Sequence, residues 1–418
     1  MLFSSVPFLF HFLPAALLIY FAAPRQLKNA VLLLASLFFY AWGEPKYMLL
    51  MLVSIVQGYG FGLLIEKHRG QKASKVFLTL SILVSLGLLG YFKYADFFLS
   101  SVNAVTGLSL PLLKLSLPIG ISFYTFQVLS YVIDVYRGET AAQRNFIDLA
   151  AYVSLFPQLI AGPIVRYSDV AAELKSRTHS VSAAAEGVRR FTVGFAKKIL
   201  LANQFGALAS AYKSTQDASV LFVWLYALAF LLQVYFDFSG YSDMARGTGA
   251  VFGLDLPENF HHPLQSYSVA DFFGRFNISA NRFVRKYVYQ ALGAEDNGPL
   301  STSVNILLIT MLMGLWYGIN LNYLVWGAFL GLFIIFEVLY IERHVEKIPP
   351  YLCRMYTFIA ILISFCWYCG DSLAASAASL RVMLGLGGAA AANQSCLYLL
   401  QTHWLLLAAS VFLCSGAV

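Results

Sequence analysis

Few side chains of this sequence combine a reactive group with a position that suggests chemistry, and Tyr317 is the first of them. It lies in the stretch MGLWYGIN, next to Trp316, where one long apolar run gives way to another. A phenol, with an ordinary pKa of about 10, is a hydrogen-bond donor at neutral pH and a poor base. Histidine, with an ordinary pKa of about 6.5, suits proton transfer better, and two histidines, His261 and His262, are the candidates for it. Tyr317 is therefore either a donor to a bound ligand or a packing residue.

A basic segment begins at Ser268 with the sequence SVADFFGRFNISANRFVRKYVYQALG. Ser268, followed three residues later by Asp271, predicts a capped helix start. At about 100° per residue, the aromatic and aliphatic side chains fall on one arc of this helix and the charged ones on the opposite arc. Such a helix lies in the membrane interface, with its basic side toward lipid headgroups or an anionic ligand. The basic side chains of this arc are Arg275, Arg282, Arg285 and Lys286.

Asn277 falls inside the apolar arc of the same helix. An amide left unpaired there would cost about 1–3 kcal/mol, so it needs a hydrogen-bond partner. That partner is either a neighbouring helix or a bound substrate, and the spacing of the residues does not decide between them.

Two further segments place polar groups at apolar runs. Asp237 and Asp243, in LQVYFDFSGYSDMARGTG, are either functional or cap the next helix and pair with a nearby arginine, and we favour the cap. Gln127 points inward from a helix whose start is interrupted by Pro118 and Gly120. Interrupted backbone at membrane depth is tolerated only where protein or a water-filled cavity covers it. The chain is therefore predicted to fold around an internal cavity.

The composition predicts an all-α, multi-pass membrane protein. The 418 residues are 59% hydrophobic and only 12% charged, whereas soluble domains are about 25% charged. Apolar runs recur that are long enough to cross a hydrocarbon layer of about 30 Å. The net charge of +7 does not indicate nucleic-acid binding, because lysine and arginine gather in the cytoplasmic loops of membrane proteins. Arg25 and Lys28 follow the first run, whereas the turn GEPK and a loop predicted after Tyr94 are nearly neutral, and this places the N-terminus outside the cell membrane.

The apolar runs are not divided by a linker, a low-complexity tract or a clear internal repeat, so residues 1–418 are predicted to form one domain. The first run has no basic n-region and is predicted to be a retained span and not a removable signal peptide. The chain stops at Val418 directly after an apolar run, so either that run ends the protein or further helices follow. The sequence contains no metal-ligand cluster, and we expect no metal and no bound cofactor.

Several long strings resemble the membrane-bound O-acyltransferase family, and most closely its alginate O-acetylation branch. They are SLPIGISFYTFQVLSYVIDVYRG, FPQLIAGPI, FDFSGYSDMARG, LPENF, FNISANRFVRKYVY and GLWYGINLNYLVWGAFLG, spread over about residues 30 to 335. The resemblance implies a ring of roughly 10–12 helices, with interfacial helices, around a funnel or tunnel through the membrane. It also implies a cytoplasmic acyl donor, such as acetyl-CoA or an acyl carrier, and an acceptor hydroxyl on an exported polysaccharide or a partner acyltransferase.

The same strings depart from the family pattern at three positions. The branch that the chain resembles has W-R-R-W-H-I-S, G-L-W-H-G and W-G-x-x-H-G, whereas this sequence has FGRFNIS, GLWYG and WGAFLG. Asn277, Tyr317 and Leu330 thus stand where the branch has histidines. Other acyltransferases of the superfamily have an asparagine at the first position, so that change is mild. At the second position, a tyrosine is a poor base for taking the proton of an attacking hydroxyl.

Three interpretations follow from these residues. The chain is an O-acyltransferase with altered or weakened catalysis, a catalytically silent member that binds an acyl donor, lipid or partner protein, or a transporter. The third is the weakest, because no pair of interrupted spans recurs in two matching halves. If the chain is a transferase, Tyr317 and Asn277 are its catalytic candidates, with His261 or His262 as a substitute base. Its candidate contacts for substrate and donor are Arg275, Arg282, Arg285, Lys286, Trp316, Asp237 and Gln127.

Overall fold

The computed structural model describes residues 2–214, 219–293, 298–341 and 348–415. Within these ranges the regular structure is helical, without a β-strand, and Phe260 and Phe276 form an isolated bridge. Seven of the described helices are long and apolar enough to cross a membrane. The prediction of an all-α, multi-pass membrane protein is confirmed. The seven helices are Pro45–Lys67, Lys72–Thr106, Val220–Val251, Gly298–Tyr317, Leu321–Tyr340, Pro350–Tyr368 and Gln394–Cys414.

The chain divides into two compact units, of which the first comprises Met1–Phe195 and Tyr241–Glu258. Its core is rich in aromatic rings: Phe3, Phe8, Phe12 and Phe39 all pack against Phe156, with centroid separations of 5.2–6.3 Å. The α-helices that begin in this unit are α1 (Leu13–Ala22), α2 (Lys28–Gly43), α3 (Pro45–Lys67), α4 (Lys72–Leu89), α5 (Ala95–Thr106), α6 (Ile121–Arg137), α7 (Phe146–Ser154), α8 (Phe156–Leu159), α9 (Tyr167–Lys175) and α10 (Val181–Ala196).

The second unit comprises Ala196–Gly240 and Asn259–Val418. Its buried core is built around Phe205, Phe236, Trp326 and Phe365. The α-helices that begin in this unit are α11 (Asn203–Ser214), α12 (Val220–Val251), α13 (Val269–Arg275), α14 (Ile278–Val284), α15 (Gly298–Tyr317), α16 (Leu321–Phe336), α17 (Pro350–Tyr368), α18 (Leu373–Met383) and α19 (Gln394–Cys414). The predicted single domain and the ring of helices stay predictions.

One predicted apolar run, at 110–135, and one predicted loop, after Tyr94, differ from the helices that form. The run at 110–135 becomes helical only at Ile121, because Gly120 has a φ of +75° and a side chain there would collide with the carbonyl oxygen of Leu159. The segment after Tyr94, predicted to be a loop, is α5, which ends at Gly107 with a φ of +72°. The predicted break at Gly120 is thus confirmed, and the predicted loop is wrong.

Candidate functional site

The basic segment that begins at Ser268 is broken in the middle. Its start is as predicted, because the Ser268 hydroxyl accepts a hydrogen bond of 2.9 Å from the backbone N–H of Asp271. The single amphipathic helix predicted beyond it is wrong: α13 ends at Arg275 and α14 begins at Ile278. Asn277 lies between them with a φ of +56°, in the left-handed region that asparagine tolerates better than most residues.

The break is held by the stretch that precedes the segment, around Asn259. The Asn259 carbonyl oxygen accepts from the backbone N–H of Ile278 at 2.9 Å, and its side-chain oxygen accepts from the Ser279 hydroxyl at 2.8 Å. The backbone N–H of His261 donates to the carbonyl oxygen of Arg275 at 3.0 Å. These bonds give the backbone at the break its partners, so the turn at Asn277 is fixed by tertiary contacts and not by its own sequence.

A cavity of about 450 Å³ opens beside this turn, within the second unit. Its wall combines apolar side chains with a small polar set, which is the usual composition of a small-molecule site. The polar set is Asn277, Asn281, Arg285, Tyr289, Thr310 and Tyr317. The other lining residues that carry the argument are Phe273, Trp326, Gly327 and Leu330.

Asn277 and Tyr317 meet in this cavity. The side-chain amide nitrogen of Asn277 donates to the Tyr317 hydroxyl oxygen at 3.0 Å, and Asn277 is only 8% exposed. The partner that the sequence required for this buried amide is therefore Tyr317, 40 residues further along the chain. Within the described residues, no acceptor takes the proton of the Tyr317 hydroxyl. That O–H group is left facing the cavity.

Aromatic side chains hold the Tyr317 ring in place. Trp316, Trp326 and Tyr368 lie with their ring centroids 5.0, 5.5 and 6.4 Å from it, all in edge arrangements. Trp326 is itself anchored, because its indole N–H donates to the Ser364 hydroxyl at 3.1 Å. Edge-to-face contacts of this kind favour one ring orientation. The Tyr317 hydroxyl is therefore presented to the cavity from a fixed position.

Close packing of α15 on α16 brings two walls of the cavity together. A side-chain carbon added at Gly327 would collide with the carbonyl oxygen of Thr310, and one added at Gly314 would collide with that of Tyr323. Small residues allow such approach between membrane helices. The glycines thus place Tyr317, at the end of α15, against Trp326, in the second turn of α16.

The four basic candidates do not act as one surface. Only Arg285 lines the cavity, and its side chain is exposed at the rim. Arg275 is paired with Asp271 at 2.8 Å, and Lys286 lies over the ring of Tyr287 at 5.1 Å. Arg282 is exposed and does not line the cavity. The break at Asn277 separates Arg275 from the other three, and beyond Arg282 a π-helical turn begins at Arg285.

The remaining candidates lie outside the lining of the cavity. His261 is exposed and His262 is partly exposed, with a φ of +44°. Asp237 neither ends a helix nor caps one, because α12 continues to Val251; its carboxylate pairs with Lys198 at 2.7 Å. The predicted cap at Asp237 is wrong, and its partner is a lysine instead of an arginine. Gln127 is buried in α6 of the first unit.

Three cavity residues escaped sequence reasoning: Trp326, Asn281 and Thr310. Asn281 lies four residues after Asn277, which is about one helical turn. A helical continuation would therefore have placed it on the same face as the candidate Asn277. Its side-chain amide donates to the carbonyl oxygen of Phe273 at 3.1 Å. Trp326 belonged to a string that carried the resemblance, whereas nothing in the sequence pointed to Thr310.

Comparison with known proteins identifies the family. The model of the membrane-bound O-acyltransferase family matches residues 139–380, more than half of the chain and the whole of the cavity described above. The chain belongs to this family. As a family member with seven long apolar helices, it is a multi-pass membrane protein.

Individual relatives support the same assignment. The chain is 40% identical over 392 residues to the probable alginate O-acetylase AlgI of Pseudomonas aeruginosa, covering 93% of this chain and 75% of the relative. It is 43% identical over 342 residues to the protein of that name from Pseudomonas syringae, covering 81% of this chain and 66% of the relative. It is 32% identical to the peptidoglycan O-acetyltransferase of Helicobacter pylori, covering 93% and 80%. The chain thus spans about two thirds to four fifths of the length of these family members.

Proposed function

We propose that this chain transfers an acetyl group from a thioester donor to a hydroxyl group of a cell-envelope polysaccharide, and that it does so slowly. The family membership and the activities of its relatives support acyl transfer to a polysaccharide. The observation that carries the proposal is the Tyr317 hydroxyl, which accepts from Asn277 and keeps its own proton for a ligand in the cavity.

The reaction needs one carbon–oxygen bond to form and one carbon–sulfur bond to break. The acceptor oxygen attacks the thioester carbonyl carbon, and negative charge develops on the carbonyl oxygen. In our proposal, the Tyr317 O–H donates to that oxygen, in the manner of an oxyanion hole. The thiolate then leaves, and the proton of the acceptor hydroxyl goes to its sulfur.

Asn277 acts on this step through Tyr317. Its amide fixes the phenol oxygen in position and, by donating to it, polarises the O–H group that faces the carbonyl. Asn277 is therefore a positioning residue, and Tyr317 is the proposed catalytic residue.

The cavity supplies a hydrogen-bond donor, the Tyr317 hydroxyl, but no general base. General-base assistance contributes about 10²–10⁴-fold to such reactions, and a neutral phenol does not provide it. His261 and His262 do not line the described cavity wall. Attenuated turnover is therefore what this set of residues supports, with the acceptor proton leaving on the thiol.

Arg285 is the proposed contact for the anionic part of the donor, since it is the basic residue of the segment at the cavity rim. We expect Arg285→Gln to raise the donor concentration needed for half-maximal transfer, with Arg381→Gln, an exposed arginine of α18, as the control. If Arg282→Gln weakens donor use as much as Arg285→Gln does, the whole basic segment binds the donor, and the cavity rim is not special.

The test is the amount of alkali-released acetate in the cell envelope of strains with and without the gene. We expect deletion to lower it, the native gene to restore it, Tyr317→Phe not to restore it, and Tyr317→His to raise it above the native level. Restoration by Tyr317→Phe would refute a catalytic Tyr317. An envelope whose bound acyl groups are all unaffected by deletion would instead favour the silent, ligand-binding alternative.

A further inference from the structure

An apolar groove runs between the N-terminal helices of the first unit. Its volume is about 800 Å³, and its lining residues belong to the π-helical turn Phe8–Phe12 with its flanks, to α1 and to α2. The residues on α2 recur every three or four positions, so they form one stripe along the helix. They are Val31, Leu34, Ala35, Phe38 and Trp42.

The stripe continues into a charged residue at one end. Lys28, the first residue of α2, is three positions before Val31 and therefore on the same face. On the other wall, Ile19 lines the groove and is followed by Tyr20. The groove thus ends where α1 and α2 are joined.

Basic groups gather around the Tyr20 ring at that end. The Lys28 ammonium nitrogen lies 4.6 Å from the ring centroid, and the Arg177 guanidinium carbon lies 6.0 Å from it. His179 Nε2 is 3.0 Å from the Tyr20 hydroxyl oxygen. Arg25 adds to the field, because its charge, after burial and Arg177, contributes to lowering the pKa of Lys28. We call Arg25, Lys28, Arg177 and His179 the basic cluster.

The cluster lacks a counter-ion in the described part of the chain. No carboxylate there lies within salt-bridge distance of Arg25, Lys28 or Arg177, although the Arg177 charge does influence Glu173. The Arg177 Nε–H is buried and has no hydrogen-bond partner within the same residues. The other guanidinium nitrogens of Arg177 donate to neutral partners, the Tyr20 hydroxyl at 3.2 Å and the Asn29 side-chain oxygen at 2.6 Å, so its charge stays uncompensated. Uncompensated positive charge on Arg25, Lys28 and Arg177 points to an anionic ligand.

We propose that this groove binds an anionic phospholipid, with one acyl chain along the stripe and the headgroup phosphate on the basic cluster. From Pro7 to Ile19 the groove wall covers twelve residue steps, or about 18 Å at helical rise, which is close to the length of a lipid acyl chain. Basic pockets between membrane helices are a known mode of binding anionic headgroups. A soluble anion would explain the cluster but would leave the adjoining apolar stripe without a role.

The experiment uses the full chain, purified in a neutral detergent. We would add palmitoyl-oleoyl phosphatidylglycerol, the matched phosphatidylcholine, or inorganic phosphate, and would measure the thermal midpoint and the lipids retained in native mass spectra. Phosphatidylglycerol should raise the midpoint and remain bound, while phosphatidylcholine and inorganic phosphate should do neither. An equal shift from inorganic phosphate would overturn the proposal in favour of a soluble anion, and an equal shift from phosphatidylcholine would remove the role of the cluster.

Two variants then localise the effect. Arg25→Gln with Lys28→Gln removes charge at exposed or partly exposed positions, and Ala15→Trp fills the groove at an exposed position, so all three changes are compatible with folding. Each should weaken the apparent affinity for phosphatidylglycerol at least tenfold. Matched controls are Lys72→Gln with Lys75→Gln, and Leu83→Trp, all on exposed positions of α4. Unchanged lipid affinity in both groove variants, with the native midpoint in the absence of lipid, would overturn the site.

Discussion

Tyr20 and Tyr317 use the same hydroxyl group in opposite ways. Tyr20 is fully buried, accepts from Arg177 at 3.2 Å, and donates to the carbonyl oxygen of Phe252 at 2.8 Å. Tyr317 accepts from Asn277 but, among the described residues, has no acceptor for its proton. The Tyr20 hydroxyl therefore uses both its acceptor and its donor capacity in hydrogen bonds within the fold. The Tyr317 hydroxyl accepts a hydrogen bond but its proton is not donated within the described residues, so it is available to a ligand. This difference separates a structural tyrosine from a ligand-binding one.

The largest expected effect is on transfer by Tyr317→Phe. Losing one oxyanion donor costs about 10²–10³-fold in rate, so transfer in membranes or detergent should fall by at least that factor. Stability should fall by about 1–3 kcal/mol, because the buried Asn277 amide loses its acceptor while the ring contacts remain. Measuring the thermal midpoint together with the transfer rate tests both the predicted rate and the predicted stability, with Tyr398→Phe on α19 as the control. A loss of stability with no loss of transfer would place Tyr317 with Tyr20 as a structural residue.

Tyr20→Phe should lower stability and leave the transfer rate of the folded protein unchanged. It leaves the carbonyl oxygen of Phe252 and a guanidinium N–H of Arg177 without their partner, which costs about 1–3 kcal/mol. Denaturant or thermal unfolding in detergent without added lipid would show the loss. Tyr136→Phe, at an exposed tyrosine of α6, should be neutral. If Tyr20→Phe is also neutral, the hydrogen bonds of the Tyr20 hydroxyl contribute little to stability, and the contrast with Tyr317 is not supported.

Asn277 can be tested in two parts, because its backbone and its amide contribute separately. Asn277→Gly keeps the positive φ without strain, whereas Asn277→Ala adds about 1–2 kcal/mol of strain. Both remove the bond to Tyr317, so both should lower transfer about tenfold, while only the alanine variant should unfold earlier. Full transfer by the glycine variant would show that Tyr317 needs no positioning amide.

The smallest effect concerns pH and the surroundings of Tyr20. Partial burial, followed by the charges of Lys28, Arg177 and Arg25, lowers the pKa of His179. The unfolded chain then binds more protons below a pH of about 6.5, so this part of the stability is complete above that pH and declines as the pH falls. Unfolding midpoints between pH 7.5 and 5 should decline less steeply for His179→Gln than for the native chain. If the midpoints of the two proteins fall equally steeply with pH, the lowered pKa of His179 is contradicted.

The sequence was sufficient for most of the fold and for the identity of the two central residues. Apolar runs predicted the membrane helices, Gly120 predicted a helix start, and Ser268 predicted a cap. Asn277 was a candidate because its amide falls on an apolar helix face. Tyr317 was a candidate because it replaces a histidine in the string GLWYG. Their contact across 40 residues could not be predicted, because it depends on how α15 packs beside the basic segment.

The break at Asn277 shows where periodicity fails. A helical wheel assumes that the helix continues. Between Ser268 and Asn277 the sequence has one glycine, Gly274, and no proline, and Gly274 lies inside α13, one residue before its end. The break is instead imposed from outside by Asn259, 18 residues earlier. The break separates Arg275 from Arg282 and Arg285, and of these three only Arg285 lines the cavity. Long-range hydrogen bonds therefore ended the single helix that the basic pattern assumed.

The length of α12 has a consequence for the bilayer around it. Its uninterrupted 32 residues measure about 48 Å, well beyond a hydrocarbon layer of about 30 Å. The uncharged part, from Val220 to Phe236, spans only about 25 Å, and Asp237 begins the polar remainder. An upright helix of this kind has a slight negative hydrophobic mismatch, which thin membranes relieve and thick ones increase. The ion pair of Asp237 with Lys198 thereby marks a depth at which the surrounding lipid is expected to thin.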